Sequence, residues 1–302
     1  MSAKKFLRIF LLIIVVCLPV CMTAGAGGKY YRVLFDAGHA QSSGRHADWI
    51  IDDDMSVPKP TDPSSPGDWS GGISSWAYEL YKTGRYGVES TKEPLSYGNP
   101  ENPQDLSGYD VLILCEPNSD LAVSERAAVI SFVKNGGGLF LIADHFNSDR
   151  NNDGIDSTGI FNKLQSHTGI HFQTGNEINS WTRGGHYTAN FSPDDVAVLR
   201  GPFGVVEMIY LHGFGTISIV KSPASPAARG HIWLKGARQT ELNIILATSR
   251  LGGGRIAALS DSSPADDGTT STPGRRLYDN WNKANNGRLL LNVTEFLAGG
   301  EF

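Results

Sequence analysis

The sequence predicts an α/β fold built on a mostly parallel sheet, with helices on both faces and a β-rich carboxyl-terminal half. Apolar runs alternate with helix-like segments through the first half of the chain. Each run has the length and branched content of a buried strand. This alternation implies parallel strands joined by helices that cover the sheet. Several further strand-like runs between residues 205 and 260 predict the β-rich half.

Four apolar runs in the first half are expected to be strands, because they are short and are bounded by turn or charged residues. They lie at about 31–36, 86–90, 110–115 and 139–143. In the second half, the runs Ile244–Thr248 and Ile256–Leu259 are expected to pair as a hairpin.

Four segments are expected to be helices, at about 72–84, 123–135, near 157–167 and 284–298. The second has Ser124 near its start, and Asn135 followed by three glycines stops it. The segment 55–70 is rich in Pro, Ser and Asp, which is typical of a long loop. We therefore expect one domain over residues 29–302.

The amino terminus is typical of a secretory signal peptide that covers residues 1–26. Basic residues precede the apolar stretch 10–16, and the small residues 24–26 form a cleavage site. The apolar stretch is short for a membrane span. We therefore expect cleavage, a secreted or periplasmic protein, and no stable membrane span afterwards. The alternatives are a retained anchor, or a lipoprotein that is lipidated at Cys21.

The composition is that of an ordinary globular protein. Of the 302 residues, 40% are hydrophobic and 19% are charged, and the net charge is −5. This balance gives no broad electrostatic footprint for nucleic acid. Two of the three cysteines lie in the signal segment, which leaves only Cys115 in the mature chain. We expect this thiol to pack as a small buried hydrophobe and to take no part in chemistry.

Three apolar runs end abruptly in an acid, and two of them have a histidine close by. The residues are Asp36 with His39, Asp144 with His145, and Asp261. Ligands in open α/β sheets bind outside the carboxyl ends of the strands, so these side chains are expected to converge. Mixed carboxylate and imidazole groups suit Zn²⁺ or Mn²⁺ and also suit general acid–base chemistry. Because an unpaired carboxylate at a buried strand end is costly, Asp144 is expected either to pair with a cation or to cap nearby backbone groups, and we favour the cation.

A segment that begins at Asp149 has the D-x-N-x-D-G spacing of a calcium loop. Asp149, Asn151 and Asp153 offer alternate side-chain oxygens, and Asp156 follows closely. The twelfth position is Ile160 instead of glutamate, so a complete EF-hand is not expected. These four polar residues are candidate metal ligands, and the alternative is a turn that caps the next helix.

Two further acids, Asp266 and Asp267, follow Asp261 within seven residues. Three acids so close together repel one another unless a cation or hydrogen bonds hold them. The alternative is an exposed acidic turn. His212 follows the apolar run 205–211 and is a further catalytic candidate. A hydrogen-bonded core histidine is the equal alternative for it. The chain has no G-x-S-x-G elbow, Walker A sequence or G-x-G-x-x-G sequence after a strand.

The order of elements is similar to the class I glutamine amidotransferase-like fold, including its ThuA-like branch. In that family the strand after the glycines leads into a nucleophile elbow that carries cysteine. The matching positions here are Ile142-Ala143-Asp144-His145, so the resemblance implies the fold without glutaminase chemistry. Three motifs that begin at Phe35, Asp144 and Asp261 read F-D-x-x-H, D-H-x-x-x-D-R-N and D-S-S-P-x-D-D-G. As a set they resemble a group of secreted bacterial proteins that are loosely described as hydrolases or DNA-binding proteins.

The leading hypothesis is a secreted metal-dependent hydrolase whose strand-end Asp and His residues hold one or two divalent ions. Such ions activate a bound water, and a two-metal clamp suits a phosphoester, including that of a nucleic acid. The alternative is a non-catalytic module with a calcium-stabilised acidic edge that binds a glycan through its tryptophans. The partner is accordingly a small-molecule or polymer substrate, and the sequence leaves the oligomeric state open.

Overall fold

The computed structural model describes residues 29–300 apart from 54–56, 176, 179–184, 222, 224–226 and 276. The expected signal segment lies outside the described residues. The helices are α1 (Ser74–Tyr81), α2 (Val123–Lys134), α3 (Ser157–Asn162), α4 (Gln165–Thr168) and α5 (Asn286–Leu297). The strands are β1 (Tyr31–Asp36), β2 (Tyr86–Thr91), β3 (Val111–Cys115), β4 (Gly138–Ile142), β5 (Ile170–Phe172), β6 (His186–Thr188), β7 (Asn190–Phe191), β8 (Arg200–Gly201), β9 (Gly204–Val205), β10 (Ile209–Leu211), β11 (Ile217–Ile219), β12 (Arg229–Trp233), β13 (Ile244–Leu251) and β14 (Gly254–Leu259).

The main sheet has the strand order β2-β1-β3-β4-β14-β13-β11-β5, with β12 and β7 attached beside β13. Strands β2, β1, β3, β4 and β14 are parallel, and the pairings from β14 to β13, β11 and β5 are antiparallel. The expected α/β fold with a β-rich second half is confirmed. The five parallel strands bring their carboxyl ends to one edge.

Alternate residues of the parallel strands enter two separate cores, one on each face of the sheet. Val33, Phe35 and Ile113 pack with α1 and α5 on one face. Leu34 and Leu112 pack with α2 on the other face. Continuous apolar runs occur in these strands because both of their faces are removed from water.

The predicted hairpin is confirmed and determines where the last strand lies. Strands β13 and β14 pair from Leu246–Leu259 to Leu251–Gly254, and Gly252 in the turn has a φ of 57°. Strand β14 also pairs in parallel with β4, from Ile256–Leu139 to Leu259–Ile142. The residue that follows β14 is therefore placed beside the residue that follows β4.

The prediction of a single helix near 157–167 is wrong, because the structure has two shorter helices, α3 and α4, in its place. The amide of Leu164 bonds to the carbonyl of Phe161, a tighter i→i+3 turn. Asn162 turns its side chain to the backbone of Phe172 in β5, at 2.8 and 2.9 Å. This side-chain pairing with a neighbouring strand competes with a continuous helix.

No helix within the described part of the chain is long and apolar enough to cross a bilayer.

Candidate functional site

Four acids lie at the carboxyl ends of parallel strands, on one edge of the sheet. Asp36 ends β1, Glu116 follows β3, Asp144 comes shortly after β4, and Asp261 comes shortly after β14. All four are at most 4% exposed. Because ionised carboxylates are costly to bury, each needs a positive or hydrogen-bonding partner. The partners divide the four into three groups.

Arg150 joins two of these acids. Its Nε donates to Glu116 Oε1 at 2.7 Å, and its Nη2 donates to Asp144 Oδ2. The hydroxyl of Ser148 also donates to Asp144 Oδ2, at 2.7 Å. Burial opposes the charge of the guanidinium, but the two carboxylates outweigh it and raise the pKa of Arg150. The cation that Asp144 was expected to need is thus supplied by the chain itself, six residues later.

Glu116 is the acid that the sequence reasoning missed. It is fully buried, has a φ of 46° and accepts a hydrogen bond from the hydroxyl of Ser262. A non-glycine residue in this left-handed region is uncommon, and such residues cluster at functional sites. Burial raises the pKa of Glu116, against the effect of Arg150. The pattern of an apolar run that ends in an acid was present here too, with Cys115 between them.

Asp261 is held by hydrogen bonds from the chain around it. Its Oδ1 accepts from the Ser263 amide at 2.8 Å, and its Oδ2 accepts from the Ser263 hydroxyl at 2.9 Å. Oδ2 also accepts from the backbone amide of His212, at 2.8 Å. Burial, followed by the charge of Asp144, raises the pKa of Asp261 well above its usual value. Asp261 and Asp144 therefore lie close enough to influence each other.

Asp36 and His39 contact each other, but they form a separate group. The turn after β1 folds His39 back, so that its Nδ1 lies 2.9 Å from Asp36 Oδ2. Its Nε2 lies 3.2 Å from Glu125 Oε1, on α2. Burial lowers the pKa of His39, but the hydrogen bond and charge of Asp36, with the charge of Glu125, raise it to about 9. Both ring nitrogens are thus engaged in a buried ion-pair network that does not line the pocket described next.

A pocket of about 400 Å³ opens at this edge of the sheet. This volume suits a small ligand. The residues that line the pocket are His46, Asp144, His145, Phe146, Asn147, Arg150, Glu177, His212, Gly213 and Tyr278. Of the residues predicted for the site, Asp144, His145 and His212 line it, whereas Asp261 is not among the lining residues and bonds to the backbone amide of His212. Glu177, His46 and Tyr278 were missed, because no local pattern marks them.

His145 has its two ring nitrogens in different surroundings. Nδ1 lies 2.8 Å from the carbonyl oxygen of Phe146. Nε2 lies 3.4 Å from Glu177 Oε1 and 3.8 Å from Asp144 Oδ2. Burial lowers the pKa of His145, but the charge of Asp144, the bond to Phe146 and the charge of Glu177 outweigh it and raise the pKa above 6.5. The carbonyl contact favours the proton on Nδ1, which leaves Nε2 as the reactive nitrogen.

One wall of the pocket is built from aromatic rings. The ring centroids of Tyr278 and His212 are 4.2 Å apart, and those of Tyr278 and His46 are 6.2 Å apart with planes 21° from parallel. Tyr278 is 39% exposed, and nearby Phe146 is 41% exposed. Burial lowers the pKa of His212. The wall therefore combines flat apolar ring faces with neutral polar edges.

The Asp/Asn loop satisfies its own carboxylates. Asp149 accepts from the amides of Asp153 and Gly154, at 3.2 and 2.8 Å. Asp156 accepts from the Gly159 amide at 2.7 Å and caps α3. These bonds are those of the alternative turn-and-cap interpretation. Asn151 donates to Ser119 Oγ at 3.0 Å. Calcium binding by this loop stays a prediction.

Within the described ranges, no group of three or more His, Cys, Asp and Glu side chains is arranged to hold a metal ion. The strand-end acids are instead bonded to Arg150, to serine hydroxyls and to backbone amides. The Zn²⁺ or Mn²⁺ assignment from the sequence therefore has no preformed ligand set in this part of the chain, and it stays a prediction that metal titration can test.

Two other expectations concern cysteine and tryptophan. Cys115 is buried within the sheet, and burial raises the pKa of its thiol, as expected for a packing residue. The prediction that tryptophans form a glycan-binding surface is wrong for the five described tryptophans, because each of them is at most 8% exposed. They fill the cores because large apolar rings gain most from burial. Trp181 lies outside the described residues.

No family model and no curated protein matches the chain. Among solved structures, the mmIFT52 N-terminal domain matches with a TM-score of 0.57 at 12% identity, covering 89% of this chain and 99% of that domain. A cytoplasmic protein from Salmonella typhimurium LT2 has a TM-score of 0.51 at 13% identity, over 88% of this chain and 99% of that chain. A ThuA-like protein from Parabacteroides merdae has a TM-score of 0.47 at 13% identity, over 90% and 91%. At such low sequence identities, the similarity to these structures concerns the fold alone.

Proposed function

We propose that the chain is a hydrolase that uses His145 as its general base. The observation that carries this proposal is the setting of the imidazole, with Nδ1 held by the Phe146 carbonyl and Nε2 turned toward two carboxylates across the pocket. A histidine held in this way can take a proton from water or a substrate hydroxyl. Asp144 and Glu177 then stabilise the imidazolium that forms.

Arg150 supports this chemistry by holding Asp144. The guanidinium fixes the carboxylate that faces Nε2 and compensates its charge in a buried place. Its side chain is 20% exposed and also lines the pocket, where it can stabilise negative charge that develops on a substrate oxygen. The proposed steps therefore use side chains that the pocket already holds in place.

The substrate we propose is a phosphoester or glycosidic group whose reacting end fits the pocket. Imidazole, guanidinium, amide and carboxylate groups line the pocket beside ring faces, which suits a polar group attached to a sugar. The basic and apolar pattern of residues 1–26 supports export, so we propose a substrate outside the cytoplasm.

A chromogenic panel tests this proposal. Purified protein is mixed with p-nitrophenyl phosphate, bis-p-nitrophenyl phosphate, p-nitrophenyl glycosides and p-nitrophenyl acetate, with Mn²⁺, Zn²⁺, Ca²⁺ or EDTA. We expect turnover that His145→Gln removes and His171→Gln retains, because His171 lies outside the pocket and bonds to Gln165. Absence of turnover with every substrate, or equal loss in both variants, contradicts the assignment.

A second candidate, a non-catalytic glycan-binding module, is favoured by the exposed rings of Tyr278 and Phe146 at the pocket. Sugar rings stack their C–H faces on such rings. In this case labelled oligosaccharides are retained without turnover, and Tyr278→Ala weakens retention while His145→Gln has little effect. This pattern separates the module from the enzyme.

A further inference from the structure

The segment 261–267, called the acid loop from here on, holds three different parts of the chain through its three acids. Asp261 Oδ2 accepts from the His212 amide at 2.8 Å. Asp266 Oδ2 accepts from the Tyr278 amide at 2.7 Å. Asp267 Oδ2 accepts from the Ser75 amide at 2.6 Å, in the first turn of α1. The first two acids therefore fix the backbones of two pocket residues, and the third does not.

We infer that Asp261 and Asp266 are positioning residues that set the wall formed by His212 and Tyr278. This inference rests on the proposed function only in taking that wall as part of the ligand site. His212 follows β10 and Tyr278 lies between the acid loop and α5, so the two rings come from separate segments. Their 4.2 Å centroid separation depends on how each backbone is anchored to the one loop.

The anchors are buried and use both carboxylate oxygens. Asp261 and Asp266 are each 0% exposed. Asp266 Oδ1 accepts from the Gly268 amide at 2.9 Å while Oδ2 holds Tyr278. Asp261 similarly divides its oxygens between Ser263 and His212. Each acid thus ties a turn of its own loop to a backbone amide elsewhere in the chain.

This double role requires a carboxylate. In the structure each of these carboxyl groups accepts at both oxygens, whereas an asparagine amide accepts at one position and donates at the other. Asparagine at position 266 would set a donor against a backbone amide, and one of the two bonds would be lost. The need to arrange the wall therefore accounts for aspartate at positions 261 and 266.

Aromatic ¹H–¹³C correlation spectra test the inference without any substrate. Ring signals are assigned with Tyr278→Phe and His212→Gln. We expect Asp266→Asn to shift the ring signals of Tyr278 and His212, because their mutual ring-current effect changes with separation. Asp261→Asn should do the same, and Asp267→Asn, the matched control, should leave both rings unchanged. Unchanged rings in Asp266→Asn, or equal shifts in the control, overturn the inference.

A second measurement on the unmutated protein covers the case in which a variant fails to fold. The amides of Tyr278 and His212 should exchange with deuterium about fivefold or more slowly than unbonded loop amides, the factor for one net hydrogen bond. Exchange at the rate of an unbonded amide overturns the inference. Neither readout needs activity, so failure of the hydrolase proposal leaves both results interpretable.

Discussion

Arg150 and Asp144 form an ion pair at the floor of the pocket, and the same guanidinium also bonds Glu116. One arginine therefore joins the residues that follow two neighbouring strands, β3 and β4. Both acids are at most 4% exposed, so water cannot replace the arginine without a change in structure. Stability and pocket geometry consequently depend on the same side chain.

Replacing Arg150 with methionine should lower the free energy of unfolding by about 3 kcal/mol, because two acids then remain buried without their cation. The measurement is urea unfolding followed by circular dichroism. Arg200→Met is the control, because its contact with Asp195 is exposed at 3.6 Å and should contribute less than about 1 kcal/mol. A loss below about 1 kcal/mol in Arg150→Met, as in the control, would show that the buried pair is unimportant for stability.

The titration of His145 should depend on Glu177. The pKa of His145 is raised above 6.5 in the folded chain, and the charge of Glu177 contributes to this shift. Glu177→Gln removes that charge, so the midpoint observed by NMR at the imidazole Cε1 should fall. In turnover assays, where the neutral base is active, the acid limb should move to lower pH as well. The exposed Glu207→Gln variant is the control, and a midpoint unmoved by Glu177→Gln would remove Glu177 from the site.

His39 should make stability depend on pH in the neutral to basic range. Its pKa is raised from 6.5 to about 9 in the folded state. A raised pKa means that the folded state binds the proton more tightly, so the stabilisation is complete below about 6.5 and is lost as the pH rises through about 9. Unfolding of the unmutated protein and of His39→Gln is compared at pH 6 and pH 9.5. The difference between them should shrink at high pH, and a constant difference would contradict the ion-pair account.

Metal titration separates the sequence-based metal site from the hydrogen-bonded arrangement. Bound metal raises the melting temperature only if it prefers the folded state. Were Asp144 a ligand, Zn²⁺ or Mn²⁺ would raise the melting temperature of the unmutated protein much more than that of Asp144→Asn. Because Asp144 is already paired with Arg150, we expect small and equal shifts. Calcium with Asp149→Asn tests the Asp/Asn loop in the same way.

The fold could be predicted because its information is local. The runs before Asp36 and Asp144 and the hairpin before Asp261 are continuous apolar stretches that a short window of sequence contains. The rule that parallel strands expose their carboxyl ends at one edge then placed Asp144 and Asp261 side by side. The same rule placed Asp36 at that edge. There, however, the turn after β1 brings His39 into contact with Asp36, and the two residues form an ion pair.

The rest of the site depends on contacts between distant segments. Tyr278 and Glu177 reach the pocket from loops without periodicity, and no neighbouring residue marks them as functional. The need of Asp144 for a cation was predictable from burial, but the choice between a metal ion and Arg150 depends on how the loop after β4 folds back. Patterns within a short stretch of sequence do not indicate how that loop folds back.

The position of β14 inside the sheet has a consequence for how the chain folds. This strand lies between β4 and β13, although most of the sequence precedes it. Until it is inserted, one long side of β4 offers unpaired backbone groups that other chains can pair with. The contacts that close this gap join residues far apart in sequence, which slows folding. Shortened chains that end before residue 254 should therefore associate instead of folding, because they lack β14, which lies in the middle of the sheet but follows the other described strands in the sequence.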